Sequence, residues 1–107
     1  MPNGNDPKDE RQAQLDALLC DARARIDEID GEILRLLARR REAVDGVAEV
    51  KRAHGFPAYH PAREENLITQ RRRRAEDLGL DPDMAEDIFR RVLRESRIAQ
   101  TETMAGR

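Results

Sequence analysis

Aromatic side chains are nearly absent: the 107 residues include one Tyr, two Phe and no Trp, 3% in all. Aromatic residues make the largest single contributions to burial, so a lone chain of this length has little from which to build a core. There is one cysteine, Cys20, which excludes an internal disulfide. It falls beside Leu15, Leu18 and Leu19, where packing as a small hydrophobe is expected rather than catalysis. No run of about 20 apolar residues is present and the opening residues do not resemble a signal peptide, so a cytoplasmic protein with no membrane span is expected. An excess of one charge is also missing: 20 basic against 22 acidic residues leave a net −2, too balanced for a general attraction to nucleic acid or anionic membrane. Any anion binding must be local.

What is present is charge, 39% of the residues, laid over helical periodicity. Residues 1–9, MPNGNDPKD, have no apolar period and are read as a disordered lead-in. From about Glu10 to His54 there is no proline and the apolar repeat is nearly heptad, which predicts one long helix stopped by Gly55 and Pro57. At 1.5 Å per residue it would be roughly 65 Å long and would need a partner to cover its ends. Pro61 suits the first turn of a second helix with His60 as its cap, running to about Leu78, where Gly79 ends it. Asp81-Pro82 then caps a third helix reaching about Thr101. The expected fold is all-α, three helices, one long and two shorter, over residues 10–101, with 102–107 as a tail without visible signal. The thin core favours oligomerisation.

Polar groups interrupt the apolar stripes. Ile26, Ile29, Ile33, Leu36, Arg40, Val44, Val47 and Lys51 follow one another at three- and four-residue steps, so two cations share one apolar face. The stripe of the third helix, Met84, Ala85, Ile88, Phe89, Val92 and Leu93, continues into Ser96 and Gln100. Arg63 and Glu64 open the second helix. Each has an ordinary explanation taken alone. The stems of Arg40 and Lys51 can be buried with their heads in water, Arg63 and Glu64 can be surface charges, and Ser96 and Gln100 can mark a fraying helix end. Together, across three helices, they describe a polar pocket in which cations outnumber the carboxylate. Uncompensated charge is costly there, and a small ligand bearing carboxylates would resolve it. Arginine forks match carboxylates, while a lysine and a glutamine suit a single oxygen on which charge develops.

Other features are weaker. The run Arg71-Arg72-Arg73-Arg74 spreads around its helix at 100° per residue and reads as solvated surface. With only Phe56, Tyr59 and Phe89 to stack bases, nucleic-acid binding is not expected. His54 and His60 lack partners at metal-ligand spacing, and no Gly-rich phosphate loop or Ser/His/Asp arrangement is visible, so nucleophilic and metal mechanisms have no support.

Over about residues 15–101 the chain resembles the all-helical chorismate mutases, a small domain often fused to prephenate dehydrogenase or prephenate dehydratase. The resemblance rests on Ile26-Asp27-Glu28-Ile29-Asp30, Leu36-Leu37 with Arg39-Arg40-Arg41, Val47 to Lys51, Tyr59-His60-Pro61-Ala62-Arg63-Glu64, and Glu95-Ser96 with Gln100, in gapless spacing. It implies an intertwined homodimer and a Claisen rearrangement of chorismate to prephenate, a pericyclic step needing no cofactor. It also implies the site: Arg40 and the partner's Arg23 on the two carboxylates, Lys51 and Gln100 at the ether oxygen, Glu64 on the ring hydroxyl, and Ser96 and Arg63 completing the pocket. Arg23 lies 17 residues before Arg40, about 100° around the helix, which is compatible with serving another subunit. His60 stands where some members carry an aspartate, and two roles stay open for it, a bond to the ring hydroxyl or the helix cap. An isochorismate pyruvate-lyase on the same scaffold and a non-catalytic regulatory helical dimer are the alternatives.

Overall fold

The computed structural model of the chain describes residues 6–106. Their regular structure is three helices, α1 (Pro7–His54), α2 (Pro61–Asp77) and α3 (Pro82–Met104), and none is long and apolar enough to cross a membrane. The helix starts follow capping chemistry. α1 begins at Pro7, earlier than the expected Glu10, because the Asp6 side chain accepts from the Lys8 amide at 2.9 Å and proline suits the first turn. The rest of the expected lead-in, residues 1–5, lies outside the described residues. His60 caps α2, its Nδ1 accepting from the Arg63 amide at 3.2 Å, and Asp81 caps α3, accepting from the Asp83 amide at 2.9 Å.

α1 and α2 both end in a Schellman arrangement. Beyond His54, Phe56 N donates to Lys51 O at 2.8 Å and Gly55 adopts φ +72; beyond Leu78, Leu80 N donates to Ala75 O at 2.8 Å and Gly79 adopts φ +76. A left-handed residue is required at both places, which glycine supplies without a Cβ penalty. α3 continues past the expected Thr101 to Met104, with the Ala105 amide donating back to Thr101 O at 3.0 Å.

The chain divides into two compact units, Met1–Ala38 and Arg39–Arg107, with α1 running through the boundary. In the first unit the apolar stripe is uncovered: Leu18 is 74% exposed and Ile26, Ile29 and Ile33 are about half exposed. Cys20 is exposed as well, contrary to the expectation that it packs: it shares the uncovered surface of the first unit, and among the described residues of that unit nothing buries it.

The second unit contains the core. Leu67 and Ile68 of α2 meet Leu93 of α3, with Phe89 packed against them, and the alanines Ala48, Ala75, Ala85 and Ala99 are also buried. Burying one Leu or Ile contributes about 1.5–3 kcal/mol, so three large buried side chains are few against the entropy cost of ordering a chain of this length. Arg72 bridges to Asp83 and Glu86, both at 2.9 Å, and Arg90 to Glu86 at 2.7 Å and Glu65 at 3.3 Å. The Arg72 pairs and Arg90–Glu65 cross between α2 and α3 and fix their register, while pairs this exposed add little stability.

Candidate active site

The polar residues that interrupt the stripes meet in the second unit. Arg40, Lys51, His60, Arg63, Glu64, Ser96 and Gln100 line one cavity of about 160 Å³, whose apolar walls are Val44, Val47, Leu67 and Leu93. Ser96 and Gln100 are 6% and 9% exposed, which removes the fraying-end explanation for them. Arg40 and Lys51 are half-buried with their heads hydrogen-bonded to α3, which removes the purely solvated one.

Each position follows from its element. Arg40 projects from α1 to α3, where Nη1 donates to Ser96 Oγ. The Ser96 hydroxyl is itself committed as a donor to Val92 O at 2.8 Å, so its lone pairs remain for arginine. Lys51 occupies the last turn of α1, where the helix dipole favours a cation. Its Nζ donates to Ala58 O at 2.8 Å and to Gln100 Oε1 at 2.7 Å. A lysine only donates, so this contact fixes the orientation of the Gln100 amide: the oxygen faces Lys51 and the NH₂ donors are left for another acceptor. Two of the three Lys51 donors are used and one remains.

The electrostatics are unbalanced in favour of anions. Among the described residues, Arg40, Lys51 and Arg63 have no carboxylate within ion-pair distance, and the one cavity carboxylate, Glu64, is taken by Arg97. Burial, followed by the charges of Arg71 and Arg63, holds the Arg40 pKa below its ordinary value. Arginine remains cationic at neutral pH all the same. The sequence reading did not single out Arg97. It lies four residues after Leu93 and three before Gln100, on the face of α3 that carries the site, and the lone carboxylate at Glu64 called for such a partner.

Arg23 and His60 complete the set of expected site residues. Arg23 belongs to the first unit, where Nη1 pairs with Asp16 Oδ1 at 2.7 Å. His60 lines the cavity and caps α2 at once, with Nδ1 engaged by the Arg63 amide. Among the described residues no cluster of His, Cys, Asp or Glu side chains is placed to hold a metal ion.

The model of the family "Chorismate mutase type II" matches residues 22–101. A T-protein of Enterobacter agglomerans is 46% identical over 90 residues, 84% of this chain and 23% of that protein; the chain thus spans about a quarter of the T-protein's length. A chorismate mutase of Methanocaldococcus jannaschii is 31% identical over 84 residues, 78% of this chain and 85% of that protein. An isochorismate pyruvate lyase of Pseudomonas aeruginosa is 34% identical over 76 residues, 70% and 73% of the two chains. With the match running through every cavity residue from Arg40 to Gln100, the chain belongs to the chorismate mutase type II family.

Proposed function

We propose that the chain is a chorismate mutase acting as a homodimer, converting chorismate to prephenate on the route to phenylalanine and tyrosine. The observation that carries this reading is the cavity's charge: three cations without carboxylate partners, beside a Lys51–Gln100 pair whose spare donors are prearranged. Chorismate, a dicarboxylate with a ring hydroxyl and an ether oxygen, has an acceptor for each of them.

In the proposed mechanism Arg40 and the partner's Arg23 clamp the two carboxylates, and Arg63 and Ser96 complete the wall. The clamp selects the compact conformer in which the two carbons to be joined are close, an orientation effect. The carbon–oxygen ether bond breaks as the new carbon–carbon bond forms, in one electron cycle without proton transfer. Negative charge grows on the ether oxygen during that step. The remaining Lys51 donor and the Gln100 NH₂ stabilise it, and because they are already oriented they do so without reorganisation. Glu64 accepts from the ring hydroxyl.

Incubating the purified protein with chorismate should yield prephenate, identified by mass and by acid conversion to phenylpyruvate. Lys51→Ala should lower kcat by about 10²–10³, the loss typical of removing one such donor, while its circular dichroism stays helical. Unchanged turnover in a folded Lys51→Ala protein would exclude the assigned role. The similarity to an isochorismate pyruvate lyase supports a second reading, and isochorismate is therefore the second substrate to offer. Pyruvate and salicylate as products would transfer the assignment to the lyase.

A further inference from the structure

We infer that Arg97 is a positioning residue of the site: by pairing with Glu64 it holds that carboxylate away from Arg40, Lys51 and Arg63 and keeps these cations open to the substrate. This inference rests on the proposed mutase reading and extends it to a residue with no assigned role.

Glu64 and Arg97 both line the cavity, on α2 and α3, and Arg97 Nη1 is bonded to Glu64 Oε1. Glu64 is the cavity's one carboxylate, in the first turn of α2 on a side chain with three rotatable bonds. Without a competing partner, Coulomb attraction would draw it to the cations that share its cavity, and an internal ion pair there would occupy the place of the substrate's own carboxylates. Arg97 supplies the competing partner. Its guanidinium is fixed on a second side, lying 5.0 Å from the centroid of the Tyr59 ring, so it is braced by the 55–60 connection as well as by α3. A planar fork stacked in this way is pre-organised and loses little freedom on forming the bond. Glu64 Oε2 has no protein partner among the described residues, which leaves it free to accept from a ring hydroxyl.

The test separates this role from a structural one by the sign of a double-variant effect. Arg97→Gln should raise KM for chorismate roughly ten- to a hundredfold, the scale of one charge-assisted hydrogen bond, with kcat little changed. Adding Glu64→Gln removes the carboxylate that would collapse onto the cations. The double variant should therefore bind chorismate better than Arg97→Gln alone and match Glu64→Gln alone. Arg97→Lys, which keeps the charge, should recover part of the loss. If Arg97 merely supported the fold, Arg97→Gln would reduce the active fraction and so the apparent kcat, leave KM in place, and gain nothing from Glu64→Gln. That pattern, or additive effects on KM, would overturn the inference while prephenate production by the unaltered protein kept the mutase reading. An unaltered protein that makes no prephenate would overturn both.

Discussion

Burial, with the like charges of Arg71 and Arg63 behind it, lowers the Arg40 pKa, and this has a cost wherever no anion offsets it. A base whose folded pKa lies below its unfolded one destabilises the fold throughout the range in which it is charged in both states, which includes neutral pH. Replacing Arg40 by methionine, of similar length and without charge, should accordingly raise the melting temperature slightly, since solvent screening at this half-exposed group reduces the effect, while removing carboxylate binding. Ser96 tolerates the change because its hydroxyl still donates to Val92 O. A dianionic ligand should raise the melting temperature of the unaltered protein and not that of Arg40→Met. A variant that melts below the parent would show that Arg40 is not strained. At this scale much of the site was legible from residue types: Arg40, Lys51, Ser96 and Gln100 each interrupt an apolar stripe, and interruption is visible in one dimension. Arg97 was not, because it interrupts nothing. In a segment reading Arg90-Arg91-Val92-Leu93-Arg94-Glu95-Ser96-Arg97 it is one arginine among four, and only its meeting with Glu64, 33 positions away, distinguishes it.

Helix ends contribute to the site as well as to the fold. Gly55 and Gly79 are the same device, a left-handed glycine after a Schellman cap, and a Cβ at either would meet nothing within 4 Å. Alanine at either place should thus cost stability through backbone strain alone, on the order of 1–2 kcal/mol. Their kinetic consequences should differ. The turn at Gly55 returns the chain over Lys51, whose carbonyl accepts from Phe56 N and whose ammonium donates to Ala58 O, both at 2.8 Å. Strain there should displace Lys51 and lower kcat, whereas Gly79→Ala should leave kcat and KM at parental values. Melting curves and steady-state kinetics on the two variants check this directly, and equal kinetic losses would count against the connection as a support for Lys51. Element boundaries were legible where a cap was written in the sequence, as at His60-Pro61, Gly79 and Asp81-Pro82. They are obscured where a polar composition hides the cap. Asp6-Pro7 reads as part of a polar lead-in by composition and as a helix start by hydrogen bonding, and the hydrogen bond decides.

For the whole molecule the decisive quantity is uncovered apolar surface. Leu18, Ile26, Ile29, Ile33, Leu36 and Leu37 of α1 are 42–74% exposed. A contiguous stripe of that kind ordinarily marks an association surface. The nearly heptad repeat predicts a long helix in want of a partner. Under the proposed dimer, light scattering should give twice the 12.3 kDa chain mass. A charge such as Ile29→Asp should reduce both that mass and the activity. Arg23 allows a stricter test, since its role depends on a second copy. Arg23→Ala and Lys51→Ala chains should each be nearly inactive alone. Unfolded together and refolded as an equal mixture, half of the dimers should carry one chain of each kind. In those, the cavity of the Arg23→Ala chain keeps its own Lys51 and receives Arg23 from its neighbour, while the other cavity lacks both. One working site in two, in half of the dimers, restores about a quarter of the parental activity. If each cavity used only its own chain's residues, mixing would restore nothing, and the exposed stripe would have to be assigned to some other contact.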